Sequence, residues 1–328
     1  MKKVNIGLLS KKRGNYQLQE RLASSSSVKD LTSEEVLHHK NALIGAGFEV
    51  QLINWGPDFI TEIRSASIDL VFNVSSLVEA AILEEYQIPF VGSGTDGIVL
   101  ARNKALAKKM WQQNDIPTSE FVVFENMKDC ESFLKTPTIP YPLFIKPVAG
   151  RGSAGISPDS KIENDEQLRL QVELLLTTIG QPVIVERFFG GREVTIGLIG
   201  NGETLRTLLP LEIIYKNNQN FLSFNKKEEE NDEFICPADL SEQQKEALQE
   251  VAKGAFRCLG LRDYGRIDTK LTPEGFMLLE ANSFAGLACT PPEKPQSYIG
   301  FMAKAEGNSG KDLLKEIIEV SLERIHNQ

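Results

Sequence analysis

Residues Tyr264 to Ser283 read YGRIDTKLTPEGFMLLEANS, a stretch that predicts two antiparallel strands joined by a tight turn. Pro273 presets the first turn dihedral, and Gly275 can take the left-handed position that closes a three-residue loop. That register sets Asp268 opposite Glu280 and Arg266 opposite Asn282. Because strand side chains alternate between faces, all four point the same way. The other face carries Ile267, Thr269, Met277, Leu279 and Ala281, a set suited to packing. Two carboxylates and an amide oxygen make a hard oxygen cage for a divalent cation, and the neighbouring Arg266 suggests that the cation arrives with anions. Mg²⁺ with phosphate fits, since magnesium takes one or two carboxylates from a protein and completes its shell with water and phosphate oxygens. A surface hairpin with a cross-strand ion pair fits the same residues, so the surrounding chain has to decide between the two.

With 328 residues the chain has material for two domains, or three small ones, and for an ample buried core. Hydrophobic residues make up 41% and charged residues 25%, an ordinary globular balance that argues against a disordered, fibrous or membrane protein. A net charge of −9 and a pI near 5.1 repel phosphate backbones, and no basic patch offsets them, so nucleic acid is not an expected partner. No apolar stretch approaches the ~18 residues that span a bilayer. The start, MKKVNIGLLSKKRGN, has too short an apolar run for a secretory signal and reads as a first strand. Cys130, Cys236, Cys258 and Cys289 are scattered without metal-type spacing, as reduced thiols in a cytoplasm would be. With only His38, His39 and His326, a histidine-rich metal site is excluded.

Along the chain, strands over 4–9, 48–55, 68–74 and 88–91 alternate with helices over 32–43 and 77–86. This β-α-β repetition implies a parallel sheet sandwiched by helices. Gly92-Ser93-Gly94-Thr95 reads as a turn and N-cap, and a helix over 96–114 carries Lys104. Strands over 121–124 and 142–146 flank a helix over 127–134. A helix over 164–178, strands over 183–186, 193–199 and 204–214, an amphipathic helix from Ser241 to Gly260 and a last helix over 312–325 complete the pattern. The charge-dense stretch Tyr215 to Cys236 reads as a long loop of the kind that serves as a lid.

The run from Lys146 to Ser157 contains Gly150, Gly152 and Gly155 in a GxGxxG pattern. A dinucleotide fold needs the last glycine to open a helix, but Pro158 and Asp159 follow. A P-loop needs Gly-Lys-Ser/Thr at its end, which is missing. What remains is a flexible loop between strands, either an ordinary hairpin or one whose bare amides close over phosphates beside Lys146.

Taken in order, Lys104, Lys146 with its glycine loop, Glu186-Arg187-Phe188-Phe189, Glu193, Cys236-Pro237-Ala238, the GRID of β-strand residues 265–268 and LLEANS resemble the ATP-grasp ligases, and within them the D-alanine–D-alanine ligase family. The resemblance runs from about Pro89 to Gly286. It implies an ATP-grasp fold of α/β and α+β type: an N-terminal Rossmann-like domain over 1–93, a central subdomain over 94–185 and a C-terminal subdomain over 186–328. ATP would lie between the last two. Lys104 and Lys146 would contact phosphates, Gly150, Gly152 and Gly155 would form the closing loop, and Ser153 within it is placed with the catalytic set. Glu186, Arg187, Phe188 and Phe189 would form the hinge strand against adenine, with Leu279 also at the nucleotide and Glu193 on the ribose. Lys226 falls about where the family's mobile loop supplies a lysine. Asp268, Glu280 and Asn282 would hold Mg²⁺, as two ions and with Mn²⁺ as a substitute, while Arg266 would steady the transferring phosphoryl group and the Gly286 amide would serve as an oxyanion donor.

The implied chemistry is phosphorylation of a carboxylate by ATP, followed by attack of an amine on the acyl phosphate, which makes the chain an ADP-forming carbon–nitrogen ligase acting on small molecules. The resemblance also favours a homodimer. Departures gather where amino acids bind. The family's glycine-rich start with its glutamate is replaced by LLSKKRGNYQLQER, its His-Gly by Asn73-Val74-Ser75-Ser76, the mobile-loop tyrosine by Lys227, and the family's Pro and a serine are missing from the run after Asn282. The expectation is therefore intact ATP chemistry on altered substrates: an amino-acid ligase of specialised metabolism, of mycosporine type for instance, joining an amine to a small activated acceptor. A cell-wall D-Ala–D-Ala ligase and a non-catalytic nucleotide-binding regulator are the alternatives.

Overall fold

The computed structural model describes residues 3–10, 33–150, 155–215, 233–287 and 297–327. Strands among these residues form three sheets. The first is parallel: β1 (Asn5–Ser10) lies between β2 (Glu49–Asn54) and β3 (Leu70–Phe72), with Ile6 beside both Val50 and Leu70. Crossovers pass through α1 (Ser33–Gly45) and α2 (Phe59–Ser65), and α3 (Leu77–Glu85) follows β3. Parallel sheets are buried on both faces, which is why β1 is an almost unbroken apolar run. Leu9, Ile53 and Val71 pack with Phe59, Ile63, Ala80 and Leu83, while Ile6, Leu8, Leu70 and Phe72 pack on the other side with Leu43 and with Leu313, Leu314 and Ile317. The strand predicted over 88–91 contributes a single bridge, Val71 to Phe90.

The helix predicted over 96–114 is broken. Asn103 has an extended backbone that ends α4 (Thr95–Arg102), and its side-chain oxygen accepts the Leu106 N–H to cap α5 (Lys104–Gln113). The break puts Lys104 at the first position of a helix, with its backbone N–H on the Val148 carbonyl at 2.9 Å.

The second sheet is antiparallel, in the order β4 (Phe121–Phe124), β7 (Val183–Arg187), β5 (Leu143–Pro147), β6 (Lys161–Ile162). Beneath it α6 (Met127–Lys135) and α7 (Asp165–Ile179) bring Phe133, Leu168 and Val172 against Leu143, Ile145, Val183 and Val185. The glycine-rich run joins β5 to β6, which pair through Leu143 and Ile162.

The third sheet sets β11 (Glu233–Ile235), β10 (Leu211–Ile214), β8 (Arg192–Gly200), β12 (Asp263–Thr272) and β13 (Gly275–Asn282) side by side, with β9 (Arg206–Thr207) against β8. The strand predicted over 204–214 is thus two, interrupted around Pro210, which has no N–H to give a ladder. Alternate residues Val194, Ile196, Leu198 and Ile267 pack under α8 (Glu242–Cys258) through Leu248, Ala252 and Phe256. The intervening residues face the other way in cross-strand pairs: Ile199 with Tyr264, Gly197 with Arg266, Thr195 with Asp268, Glu193 with Lys270. The first of these pairs is covered by α9 (Tyr298–Ala305) and α10 (Gly310–His326). The sequence reading passes over α2 and α9, both too short for a clear apolar period.

One buried carboxylate ties distant segments of the chain together. Asp263, fully buried and with a left-handed φ of 66°, accepts two bonds from the Arg324 guanidinium, each 2.7 Å, the Gly92 N–H at 2.8 Å and the Asn201 amide at 3.0 Å. Arg324 also donates to the Phe90 carbonyl at 2.9 Å. Among the described residues no helix is long and apolar enough to cross a membrane.

Candidate active site

The β12–β13 hairpin has the predicted pairs Arg266–Asn282 and Asp268–Glu280, reached by a different route. Thr272 pairs directly with Gly275, so only Pro273 and Glu274 turn the chain, with Gly275 at φ 113°. The tighter turn would leave the strands one residue out of step. A bulge at Leu279 restores the register, since Thr269 pairs with Leu278 while Asp268 pairs with Glu280. The bulge also exchanges faces: Phe276 and Leu278 pack under α8, whereas Met277 and Leu279, expected on the packing face, are half-buried outside that core.

On the polar face Arg266 donates to both oxygens of Asp268, Nε to Oδ1 at 2.8 Å and Nη2 to Oδ2 at 2.9 Å. The Thr195 hydroxyl donates to Oδ1 at 2.5 Å and the Asn282 amide to Oδ2 at 2.8 Å. The Tyr298 ring lies 4.7 Å from the guanidinium carbon, a cation–π contact that orients it. Burial opposes ionisation of Asp268, yet the Arg266 guanidinium outweighs it and holds the carboxyl below its usual range. The same pairing overcomes the burial of Arg266 and raises its pKa. Glu280, 35% exposed, sits 3.6 Å from the Lys104 ammonium, which also donates to the Gly150 carbonyl at 3.3 Å. Lys104 is thereby the point at which the hairpin and the start of the glycine loop meet. At the other end of that loop, a side chain on Gly155 would collide with Ile179 and Pro147, and its φ of 74° independently favours glycine.

A second cluster lies behind the first. Glu186 is 3% exposed, with Lys146 Nζ 2.6 Å from one oxygen, Lys108 Nζ 2.9 Å from the other, and the Ser119 hydroxyl donating at 2.6 Å. Burial opposes its ionisation, but the two ammonium groups prevail and draw its pKa down to about 2. Burial lowers Lys108 to about 8 despite Glu186, whereas for Lys146 the effect of burial is outweighed by Glu186 and Glu280 and the pKa rises. Burial lowers Lys104 as well. The Glu186 side chain is therefore committed to lysines, and the residues after it are set by other contacts. The Phe188 N–H bonds the Pro142 carbonyl, its ring lies 5.2 Å from the Lys161 ammonium, and Arg187 stacks over Phe189 at 5.1 Å. Gly191, at φ 116°, comes so close to the Leu271 carbonyl that no side chain fits.

Farther along the same face of the six-stranded sheet the half-buried Glu193 meets the buried Lys270 at 3.1 Å, with the ammonium 5.6 Å from the Tyr215 ring. Burial raises the Glu193 pKa against the pull of Lys270. Gly286 is exposed, and a Cβ there would stand 3.3 Å from Ser297, whose hydroxyl caps α9. Gly152, Ser153 and Lys226 lie outside the described residues. Sequence reasoning missed Lys108, Lys270, Ser119, Thr195 and Tyr298. For Lys270 and Thr195 a signal existed in the alternation of strand faces, since Lys270 shares the parity of Arg266 and Asp268.

Among the described residues no group of three or more His, Cys, Asp or Glu side chains gathers for a metal. A divalent cation here would rest on Asp268, Glu280 and the amide oxygen of Asn282. These three fit a hard cation that finishes its shell with water and phosphate oxygens, as magnesium does.

Two antiparallel sheets that bring buried lysines and a glycine-rich loop against a guanidinium, two carboxylates and an amide are the working parts of an ATP-grasp enzyme. The family model described as D-ala D-ala ligase C-terminus matches residues 110–319, more than half of the chain. A D-alanine–D-alanine ligase of Cupriavidus pinatubonensis is 26% identical over 292 residues, covering 87% of this chain and 85% of the relative, and one of Acinetobacter baumannii is 31% identical over 247 residues, 74% of each. In fold, the D-alanine–D-alanine ligase of Bacillus anthracis superposes with a TM-score of 0.71 at 17% identity over 98% of both chains. The VanG D-Ala:D-Ser ligase of Enterococcus faecalis does so with 0.73 at 21% identity, over 98% of this chain and 100% of that one. The chain belongs to the D-alanine–D-alanine ligase family, and is an ADP-forming carbon–nitrogen ligase of ATP-grasp fold.

Proposed function

We propose that the protein uses ATP to phosphorylate the carboxylate of a small molecule and joins it to the amine of an amino acid, with substrates other than a pair of D-alanines. The observation that carries the reading is the juxtaposition of Arg266, Asp268, Asn282 and Glu280 with Lys104, next to the Lys146–Glu186–Lys108 cluster. Both steps, phosphoryl transfer and amine attack, build negative charge on oxygen, and neither needs a protein nucleophile. Lys104 and Lys146 face the phosphates, Glu193 the ribose, and residues 186–189 the base. Arg266 spends two of its five donors on Asp268 and offers the others to the transferring phosphoryl group and the tetrahedral oxyanion, with the Gly286 amide beside it. Magnesium, held by Asp268, Glu280 and Asn282, would supply charge neutralisation to the phosphates when bound. The reading divides the chain into units over 1–93, 94–185 and 186–328, acting as a homodimer. The free thiols Cys130, Cys236 and Cys258 suit a reducing cytoplasm.

The departure in substrates is supported at the end of β3. Asn73 there holds the Leu9 carbonyl at 2.8 Å, and Glu79 is fully buried, capping α3 through the Ser75 and Ser76 N–H groups at 2.7 and 3.2 Å. Both bonds fall on Oε2, which is thereby held at the helix start. The second reading, ligation of D-alanine to D-alanine, is favoured by the names of the relatives. ADP release measured with panels of D- and L-amino acids and small carboxylate or enol acceptors, with product mass, separates the two. Turnover with D-alanine alone at the highest rate would overturn the first reading, and failure of every panel to release ADP beyond background would favour a non-catalytic nucleotide binder.

A further inference from the structure

Lys108 is among the largest fully buried side chains of the described residues, and its ammonium has four partners. It donates to Thr118 Oγ1 at 2.8 Å, Ser119 Oγ at 2.9 Å and the Leu278 carbonyl at 3.1 Å, and lies 2.9 Å from Glu186 Oε2. These partners come from three places: the segment before β4, strand β13 of the six-stranded sheet, and strand β7 of the four-stranded sheet. The backbone closes the same junction, with the Leu278 N–H on the Pro117 carbonyl at 2.9 Å. Desolvating an ammonium is costly, so a position that needed only packing would be filled by an apolar side chain of similar length.

The charges say what the ammonium does. Lys146 and Lys108 share Glu186, one on each oxygen, and the trio carries a net +1. Without Lys108 the carboxylate would be matched by Lys146 alone, and the Lys146 charge would be spent inside the protein. With Lys108 behind it, Glu186 holds Lys146 in place while leaving positive charge for an anion.

We propose that Lys108 is a positioning residue for the nucleotide: it clamps Glu186 from behind and so fixes where Lys146 presents its ammonium to the triphosphate. The proposal rests on the nucleotide reading given above. The test is titration calorimetry of the full chain with ATP and excess Mg²⁺, using Lys108→Met, Lys146→Met and the double variant, with steady-state kinetics alongside. Lys108→Met raises the ATP Kd at least tenfold and the KM for ATP in parallel, with kcat changed less than threefold. The double variant binds ATP within twofold of Lys146→Met, because Lys108 acts through Lys146. A merely structural role would move unfolding but would not make the two effects on Kd collapse into one. Thr118→Val, which removes one acceptor and keeps the charge, gives a second arm that does not depend on the methionine variant folding. It raises Kd about threefold in the native background and leaves it unchanged in the Lys146→Met background. A folded Lys108→Met with Kd within twofold of the native protein, effects that multiply in the double variant, or an unchanged Kd in Thr118→Val would each overturn the proposal. Native protein that binds no ATP would instead overturn the nucleotide reading on which it stands.

Discussion

Replacing Arg266 by alanine separates the binding of nucleotide from its use. The guanidinium is held on two sides, by both oxygens of Asp268 at 2.8 and 2.9 Å and by the face of Tyr298 at 4.7 Å, so its remaining donors are fixed in space before any substrate arrives. Donors prearranged in this way at a developing oxyanion are worth 10²–10³ in kcat, about 3–4 kcal/mol of barrier. Lys104 and Lys146 remain in place, so the ATP Kd is expected to stay within fivefold. Stability is expected to fall too. Breaking a buried ion pair from one side costs ~3–5 kcal/mol, and the bonds that Thr195 and Asn282 still give Asp268 place this case near 3 kcal/mol. Three measurements check the reasoning: ADP release for kcat, calorimetry for ATP affinity, and denaturant unfolding for stability. A folded Arg266→Ala protein with kcat within threefold of the native value would refute the assignment. An ATP affinity that falls as far as kcat would refute the idea that the arginine acts on the transition state.

Other perturbations reach neighbouring parts of the site. Glu186 has a folded pKa of about 2, below its ordinary 4.5, so its contribution to stability is complete above pH 4.5 and is lost as pH falls toward 2. The contribution is on the order of 3 kcal/mol, and acid unfolding of Glu186→Gln followed by circular dichroism should show that much less dependence across this window. Glu280→Gln removes one of two carboxylates from the cation set, and the Mg²⁺ concentration for half-maximal activity should rise at least tenfold; an unchanged requirement would place the cation elsewhere. Gly191→Ala forces a Cβ against the Leu271 carbonyl at a left-handed φ, and a loss of stability of about 2 kcal/mol or more by denaturant unfolding is expected.

What the chain reveals of itself follows the range of the forces involved. The parallel layer was readable because β1 and β3 are short apolar runs and β2 alternates, all between helices, and the hairpin pairs were readable because alternation alone sets them. The turn was misread, since one residue less in the loop and one more at Leu279 cancel by the time Asp268 is reached. The break at Asn103 is a local signal, a capping side chain with its N–H partner at Leu106, hidden by helix-forming residues on both sides. Lys108 could not be found that way. In an amphipathic helix a lysine reads as solvent-facing, and only the meeting of β7, β13 and the segment before β4 makes it a buried partner of Glu186. For Lys270 the alternation gives the face but not the partner, because Glu193 lies on a strand far away in sequence.

The cage around Asp263 sets an order on assembly during synthesis. The carboxylate is made long before Arg324, which satisfies it from 61 residues further on and simultaneously grips Phe90. Until the ribosome has passed Arg324, the start of β12 carries an anion whose final cation does not yet exist, and closing the interior over it would be unfavourable. The parallel layer waits on the same helix, since Ile6, Leu8, Leu70 and Phe72 pack against Leu313, Leu314 and Ile317 of α10, and its seating against the six-stranded sheet is completed only by the last turns of that helix.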